Sequence, residues 1–329
     1  MTTIVNNQQH KTFTIVFVKD YVITMRPYLL FVSGITGICG MSFISELSNL
    51  KALLIFLASF HSYGFGQALT DVFQTDTDSI SSPYRPLTQG IISKVQVLSI
   101  SIIGLIFCVA VFSIYNPINL LLGVVSGLGL ATYTYFKKRF WAGPFYNSWI
   151  VGILFLMAYL CGAETDNVIS NEKLILGLSA VFWGYANFVL VGYFKDVEAD
   201  RATGYNTLPV VFGRKTASVI SNIFGLFTIL SAGLIFFVSK NQNILNQDSS
   251  FPLIIFFIGT ILMVLCQLLV HSVKSDDESS TAINLSVHAF IVLLSSITLL
   301  NKPEWLLLII VFNLLFNLTI YLRPSKNQI

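Results

Sequence analysis

The stretch VQVLSISIIGLIFCVAVFSIY, residues 95–115, contains no charged side chain. An α-helix rises about 1.5 Å per residue, so this stretch is long enough to cross the roughly 30 Å hydrocarbon core of a bilayer. Transmembrane β-strands are about ten residues long and alternate apolar with polar positions. Because this stretch is longer and uniformly apolar, it predicts a membrane-spanning α-helix.

Similar apolar runs occur on both sides of this stretch, and ten can be counted along the chain. Their approximate positions are 27–47, 52–72, 95–115, 117–136, 146–163, 173–194, 216–238, 252–272, 282–300 and 305–322. The short connections favour antiparallel packing of neighbouring helices. The predicted fold is therefore all-α, a polytopic membrane bundle of nine to ten transmembrane helices around a central cavity. We expect residues 1–329 to form one transmembrane domain, with a polar cytoplasmic N-terminal segment at 1–24.

The composition excludes several classes of protein. Hydrophobic residues make up 54% of the chain and charged residues 11%, against about 25% charged in an ordinary soluble domain. The mean hydropathy is +0.75. A soluble globule, a disordered chain and a nucleic-acid-binding protein are excluded by these values. The four cysteines and four histidines show no metal-ligand spacing, so neither a disulfide framework nor a zinc site is predicted.

The distribution of positive charge predicts the orientation in the membrane. Cytoplasmic loops carry an excess of lysine and arginine. Alternate loops, counted from the N-terminus, hold fifteen of the nineteen lysines and arginines, and the remaining loops hold four. This asymmetry favours ten spans with both termini in the cytoplasm.

Acidic residues are concentrated at two places on the predicted cytoplasmic side. Six of the sixteen lie in two short stretches, at the ends of the second and sixth predicted helices: Asp71, Asp76, Asp78, Asp196, Glu198 and Asp200. Helices that end on one side of a bundle bring such stretches to one cavity. We therefore expect the two stretches to face each other.

Helical spacing selects among these acids. At about 100° per residue, Asp71 and Asp78 share a helix face with Gln74 and with Tyr63. Asp76 is rotated away from that face. Each helix is therefore expected to carry one polar stripe that ends in carboxylates.

The second stretch shows the same periodicity. Asp196 and Asp200 are four residues apart, with Tyr193 beside them, whereas Glu198 points elsewhere. Several carboxylates gathered near a membrane are costly unless a cation neutralises them. Oxygen ligands without nearby histidine or cysteine suit Mg²⁺, which often bridges carboxylates to phosphate oxygens. Alternatively, the acids belong to two solvated loops that cap helices.

Positively charged residues accompany both acidic stretches, which favours a phosphate ligand. Arg85 follows the first stretch, Lys195 and Arg201 flank the second, and Lys138 lies in a basic run after the fourth predicted helix. Guanidinium and ammonium groups are common partners of phosphate oxygens.

Three segments resemble the UbiA superfamily of intramembrane prenyltransferases. The stretch TDVFQTDTDSISSPYRPLTQG, 70–90, resembles the family's first motif, NDxxDxxxD followed by a PyRP-type segment. The stretch YFKDVEADRATGYNTLPVVFG, 193–213, resembles the second, DxxDxxxD followed by a TLPV-type segment. These are called the first and second acidic segments below. YTYFKKRF, 133–140, is similar to the family's tyrosine and basic loop.

The chain departs from the family motifs at three positions, where Thr70, Gln74 and Tyr193 replace the usual asparagine and two aspartates. The resemblance implies a catalytic and metal-binding role for the matched acids Asp71, Asp78, Asp196 and Asp200. Gln74 brings an amide oxygen but no charge.

The resemblance implies an enzyme that ionises a prenyl diphosphate with the help of Mg²⁺ and transfers the prenyl group to an aromatic or lipid-like acceptor in the bilayer. Nucleic acid is not an expected partner. The residues expected to bind substrate are Gln74, Arg85, Lys138, Lys195, Arg201, Tyr193 and Tyr63.

Two other functions stay open at this point. Some relatives of the superfamily are terpene cyclases, in which a double bond of the same chain captures the cation, and the altered first acidic segment favours this outcome slightly. A transporter with intramembrane carboxylates is the non-enzymatic alternative. A third acidic run, Asp276–Glu278, is expected to be a solvated loop.

Overall fold

A computed structural model of the protein describes residues 9–162, 171–241 and 250–323. The helices in these ranges are α1 Ile15–Met25, α2 Leu30–Ser42, α3 Asn49–Val72, α4 Thr75–Ser81, α5 Lys94–Tyr115, α6 Ile118–Arg139, α7 Gly143–Leu160, α8 Glu172–Gly192, α9 Val197–Ala202, α10 Leu208–Asn241, α11 Ser250–Val270, α12 Ser280–Asn301 and α13 Leu306–Tyr321.

The long helices confirm the predicted all-α membrane bundle. Nine helical segments of the described chain are long and apolar enough to cross a bilayer, and a bent pair formed by α1 and α2 brings the total to ten. They are integral, multi-pass elements whose backbone hydrogen bonds are satisfied internally, as a bilayer requires. The predicted nine to ten spans agree with this number.

The first predicted span, 27–47, differs from the structure. Helix α2 has only thirteen residues, and it is bent by 49° from α1. Arg26 separates the two helices and has a left-handed backbone (φ 54°), and Pro27 follows it. A residue before proline is disfavoured in the right-handed helical conformation, which explains the break. Residues 15–24, predicted to lie in a polar segment, belong to α1.

The most buried helices form the centre of the bundle. Helices α8 and α12 are buried over most of their length, and α2 packs against α3, α7 and α12. Close packing of α2 on α3 depends on Gly37, because a Cβ there would lie 2.2 Å from Ser59 Oγ. Helices α5, α11 and α13 expose apolar faces, which suits contact with lipid.

The short helices α4 and α9 follow α3 and α8 and carry the two acidic segments. Thr77 of α4 and Thr203, directly after α9, lie with their hydroxyl oxygens 2.8 Å apart. The fold therefore brings the two segments into contact at one end of the bundle, as the sequence predicts.

Candidate active site

One cavity of about 200 Å³ opens between the acidic segments and extends into the bundle. Its polar end includes the side chains of Arg26, Asp71, Gln74, Asp78, Arg85, Lys137, Lys195 and Asp196. Its walls toward the opposite end of the bundle are apolar and include Leu105, Val109, Phe112, Leu154 and Met157. The cavity therefore joins a charged site to an apolar pocket.

Asp71 is held by three side chains at the end of α3. Arg26 Nη2 donates to both carboxylate oxygens at 3.0 and 2.9 Å, and Gln67 Nε2 donates to Oδ1 at 2.6 Å. Arg85 Nη1 lies 3.8 Å from Asp71 Oδ2. The left-handed break at Arg26 thus directs a partly buried guanidinium at the first acidic segment.

Asp78 lies on α4 because α3 ends at Val72, so Asp71 and Asp78 do not share one continuous helix as predicted. Both still line the cavity. Arg85 Nη1 lies 2.7 Å from Asp78 Oδ1. Burial raises the pKa of Asp78, and the Arg85 charge opposes this without cancelling it.

Asp196 lies at the junction between the 3₁₀ turn Tyr193–Lys195 and α9, and it lines the cavity. Its Oδ1 is buried and has no hydrogen-bond partner among the described residues. Burial alone would raise the pKa of Asp196, but the charges of Lys195 and Lys137 outweigh it and hold the pKa below its ordinary value. Asp196 therefore offers an ionised oxygen to a ligand.

Asp200 lies behind the cavity wall, fully buried. Lys137 Nζ lies 3.4 Å from its Oδ1, and Thr207 Oγ1 donates to its Oδ2 at 3.1 Å. Burial raises the pKa of Asp200 to about 6, with the Lys137 charge acting in the opposite direction. Asp196 is the N-cap residue of α9 and Asp200 lies within that helix, and of these two acids only Asp196 lines the cavity.

Lys137 connects the two acidic segments. Its ammonium donates to Gln74 Oε1 at 3.3 Å as well as to Asp200. The same ammonium lies 5.1 Å from the ring centroids of Tyr193 and Tyr205, a cation–π arrangement. Gln74 and Tyr193, two of the residues that depart from the family motifs, therefore both contact Lys137.

Aromatic residues complete the cavity near the charged end. Tyr63, Tyr133, Tyr185 and Tyr193 all line it. The hydroxyls of Tyr133 and Tyr193 are 2.7 Å apart. The predicted positions of Tyr63 and Tyr193 beside the acids agree with the structure.

Two predicted cationic residues lie outside the cavity lining. Lys138 Nζ is 3.0 Å from Asp76 Oδ2, and Arg201 pairs with the exposed Glu198 at 3.0 Å. Although partial burial acts in the opposite direction, the hydrogen bond from Lys138 lowers the pKa of Asp76. Lys138 follows Lys137 in α6 and is rotated about 100° from it around the helix axis. Because Lys137 faces the cavity, Lys138 points away from it.

Sequence reasoning missed Arg26 and selected Lys138 instead of Lys137. A signal for Lys137 was present, because it is four residues after Tyr133 and seven after Leu130, on one face of α6. Arg26 gave no comparable signal, since its position depends on the bend before α2.

The second acidic segment is also held from outside the cavity. Arg214 donates to Phe194 O at 2.9 Å and forms an ion pair with Asp276. The backbone amide of Glu198 donates to Asp276 Oδ2 at 3.0 Å. The acidic run Asp276–Glu278, expected to be solvated, thus contributes one residue to this contact.

No group of three or more histidine, cysteine, aspartate or glutamate side chains forms a metal-ligating cluster in the described parts of the chain. The carboxylates of Asp71, Asp78 and Asp200 instead contact arginine or lysine. Asp196 differs from these three acids, because its Oδ1 has no hydrogen-bond partner among the described residues.

Relatives with known names share much of the chain. Digeranylgeranylglyceryl phosphate synthase from Thermococcus sibiricus is 30% identical over 218 residues, which are 65% of this chain and 76% of the relative. The enzyme of the same name from Methanococcoides burtonii is 26% identical over 260 residues, 75% of this chain and 90% of the relative.

Solved structures share the fold. A UbiA homologue from Aeropyrum pernix has a TM-score of 0.67 at 16% identity, with 82% of this chain and 96% of that chain covered. A UbiA homologue from Archaeoglobus fulgidus, bound to DMAPP and Mg²⁺, has a TM-score of 0.61 at 17% identity, with 84% and 99% covered. Mg²⁺ and a prenyl diphosphate, the ligands predicted from the sequence, are thus the ligands in that homologue.

A family model described as the UbiA prenyltransferase family matches residues 30–288, which includes both acidic segments and the basic end of α6. The order of these elements, the number of spans and the cavity that joins them agree with that match. This chain belongs to the UbiA prenyltransferase family.

Proposed function

We propose that the protein transfers an isoprenoid chain from its diphosphate to a hydroxyl group of a lipid-like acceptor, with Mg²⁺ as cofactor. The observation that carries this proposal is one cavity with clustered charges at one end and apolar walls beyond them. An isoprenoid diphosphate has the same division between a charged head and an apolar chain.

The donors at the charged end fit Mg²⁺. Asp71, Asp78 and Asp196 supply carboxylate oxygens to one cavity, and Asp196 Oδ1 is buried without a partner in the described chain. Mg²⁺ prefers such oxygen ligands and binds phosphates through them. Although these carboxylates do not form a metal-ligating cluster in the described residues, we assign all three to hold the metal, which, when bound, would neutralise charge on the diphosphate. Asp200 does not line the cavity, and we assign it to position Lys137 and not to hold the metal.

The cations of the cavity would bind the remaining phosphate oxygens. Arg85, Lys137 and Lys195 line the same end, and Arg26 lies beside them. When the allylic C–O bond breaks, its electron pair stays on the departing diphosphate. Fixed cations stabilise that charge more effectively in a water-poor cavity than in solution.

The apolar part of the cavity would hold the isoprenoid chain. The lining residues of α7 run from Asn147 to Met157, ten positions that span about 15 Å along a helix. Tyr63 and Tyr185 lie nearer the charged end, where their rings can stabilise an allylic cation. Exclusion of water by these walls prevents hydrolysis of the cation.

In the transfer step, the acceptor's hydroxyl oxygen forms a new C–O bond with the allylic carbon. The proton of that hydroxyl passes to the released diphosphate. The acceptor class follows the name of the relatives, digeranylgeranylglyceryl phosphate synthase, which denotes a lipid-like glyceryl phosphate.

We further propose that both acidic segments face the cytoplasm and that the chain forms one domain. Fifteen of the nineteen lysines and arginines belong to the loops on that side, which supports this orientation. The family model spans most of the long helices, which supports a single domain.

Terpene cyclisation is the second candidate function, and the replacements at Thr70, Gln74 and Tyr193 favour it. Ionisation would be the same, but a double bond of the chain would then capture the cation. A transporter fits less well, because a cation pathway favours acids near the bilayer midplane, whereas these acids lie at helix ends.

Product analysis distinguishes these functions. Purified protein would be incubated with Mg²⁺ and geranylgeranyl diphosphate, with and without a glyceryl phosphate ether lipid, and the products identified by mass spectrometry. Transfer predicts a new ether that forms only with the acceptor and is lost in Asp196→Ala but kept in Glu198→Ala. A cyclic hydrocarbon formed without acceptor would contradict transfer and establish cyclisation.

A further inference from the structure

A second group of polar side chains lies beside the cavity, near the end of α13. Tyr28, in the 3₁₀ turn Pro27–Leu29, is only 3% exposed, and its hydroxyl has no hydrogen-bond partner among the described residues. A buried hydroxyl without a partner is costly, which favours a ligand that accepts its hydrogen bond. Tyr28 is not among the residues that line the cavity.

Arg323 supplies a positive charge at the same place. It follows α13, which packs against the turn that contains Tyr28. Its Nη1 is buried and likewise has no partner in the described chain. The charges of Arg26, Arg85 and Arg323 all act on Tyr28. Arg26 and Arg85 are paired with Asp71 and Asp78, whereas Arg323 has no carboxylate partner among the described residues.

The adjoining contact between α12 and α13 is polar as well, although both helices cross the membrane. His288 Nε2 lies 3.1 Å from Asn317 Oδ1, and Asn284, one turn from His288, has a buried Oδ1 without a partner in the described residues. Ile283, next to Asn284, lines the cavity. Polar groups inside a membrane are expensive and commonly mark functional sites.

We propose that Tyr28 and Arg323 bind the phosphate group of the lipid-like acceptor. This inference rests on the proposed transfer reaction and assigns its second substrate a binding site. The Tyr28 hydroxyl can donate a hydrogen bond and the Arg323 guanidinium is always charged, so the pair suits an anionic acceptor, and Arg readily binds phosphate oxygens. The end of a membrane-spanning helix is the depth at which lipid phosphates lie.

The location suits the reaction. Tyr28 lies two residues after Arg26 and directly before Leu29, and both of these residues line the cavity, so the two phosphate sites are neighbours. The hydroxyl group of a glyceryl phosphate is only a few bonds from its phosphate, so a phosphate held at Tyr28 would keep that hydroxyl beside the cavity. A cyclase has no use for a second phosphate site.

Steady-state kinetics with Arg323→Met and Tyr28→Phe test the site. With a glyceryl phosphate ether lipid as acceptor, we expect Arg323→Met to raise the acceptor KM by about tenfold, the loss of one charge-assisted hydrogen bond. The KM for the prenyl diphosphate and kcat should change less than twofold. Lys19→Met, an exposed charge on the same side of the bundle, is the matched control.

Binding measurements separate this inference from the reaction itself. Native mass spectrometry would compare the glyceryl phosphate ether lipid, the same ether without phosphate, and phosphatidylglycerol. We expect the first to bind the wild type about tenfold tighter than the second, and Arg323→Met to remove the difference.

The proposed phosphate site would be contradicted by an unchanged acceptor KM in both variants, or by equal binding of the ether lipid with and without its phosphate. Equal competition by phosphatidylglycerol would also contradict it, because it would identify a general contact with anionic lipid. If the wild type transfers to no acceptor, the proposed function fails, and the binding comparison still decides whether Tyr28 and Arg323 hold a phosphate.

Discussion

In the first acidic segment, Asp71 and Asp78 both face the cavity, and each is held by an arginine. In the second, only Asp196 faces the cavity, and Asp200 is buried behind it against Lys137. Asp71 and Asp78 are seven residues apart and Asp196 and Asp200 are four apart, and both spacings predict a shared helix face. The helix breaks before α4 and α9 nevertheless give these aspartates different surroundings. The same helical periodicity in two segments therefore does not imply the same role for their acids.

This difference indicates that the two acidic segments have different roles in the site. The first segment brings carboxylates whose charge is already balanced by Arg26 and Arg85, whereas Asp196 brings an oxygen without a partner in the described chain. Lys137 lies between the segments and contacts both Gln74 and Asp200. We infer that Asp196 is the principal protein ligand of Mg²⁺ and that Asp200 positions Lys137.

The largest expected effect is on stability and comes from Asp200→Asn. This change leaves the Lys137 charge buried without its carboxylate, and breaking a buried ion pair from one side costs about 3–5 kcal/mol. Thermal unfolding in detergent would measure the loss. The double variant with Lys137→Met should recover part of it, and Glu198→Gln, an exposed acid of the same segment, should change little. Wild-type stability of Asp200→Asn would contradict a positioning role.

The next effect is on turnover and comes from Asp196→Asn. The substitution keeps the shape but removes the charge at the oxygen that has no partner. Loss of one electrostatic contact to a reacting group costs about 10²–10³-fold in kcat. Prenyl transfer measured with saturating substrates should fall by this factor, with the thermal midpoint nearly unchanged. A fall of less than fivefold would show that Asp196 is not the principal ligand.

A smaller effect concerns the outer contact of the second segment. Arg214→Met removes the hydrogen bond to Phe194 and the ion pair with Asp276. These side chains are partly exposed, so the cost should be about 1 kcal/mol of stability. Denaturation in parallel with Asp277→Asn, an exposed neighbour, would measure it. If both variants are equally stable, the outer contact does not hold the segment.

The smallest expected effect comes from restoring the family's usual carboxylate at position 74. Gln74→Asp adds a negative charge beside Lys137, at the cavity. A nearby opposite charge strengthens cation binding, so the Mg²⁺ concentration for half-maximal activity should fall a few-fold. Titration of activity with Mg²⁺ would show it, with Gln74→Asn as the control that keeps the amide. A rise in that concentration would contradict the assignment.

The sequence was sufficient to predict the membrane bundle because apolar length is a direct physical requirement of the bilayer. It also predicted that both acidic segments meet at one cavity, since they follow helices that end on the same side. The predicted helix faces of the acids were wrong locally, because the helical periodicity assumes a continuous helix through Gln74 and Asp196. Both residues are instead non-helical caps at which one helix ends and the next begins.

Other features depended on tertiary packing that periodicity does not report. Arg26 reaches Asp71 only because Arg26 itself adopts a left-handed conformation before Pro27. Lys137 rather than Lys138 enters the cavity because of the rotation of α6 about its axis. Tyr28 and Arg323 are almost 300 residues apart in sequence, and only the packing of α13 against the turn before α2 brings their buried polar atoms, unpaired among the described residues, to one place.

The most direct test of the division between the segments is a structure with Mg²⁺ and a non-reactive prenyl diphosphate analogue. We predict a Mg²⁺ ion with an oxygen of Asp196 at about 2.1 Å, the usual distance for this metal. Asp200 should remain bound to Lys137 and Thr207. A metal coordinated by Asp200, with Lys137 displaced and Asp196 unbound, would contradict the account.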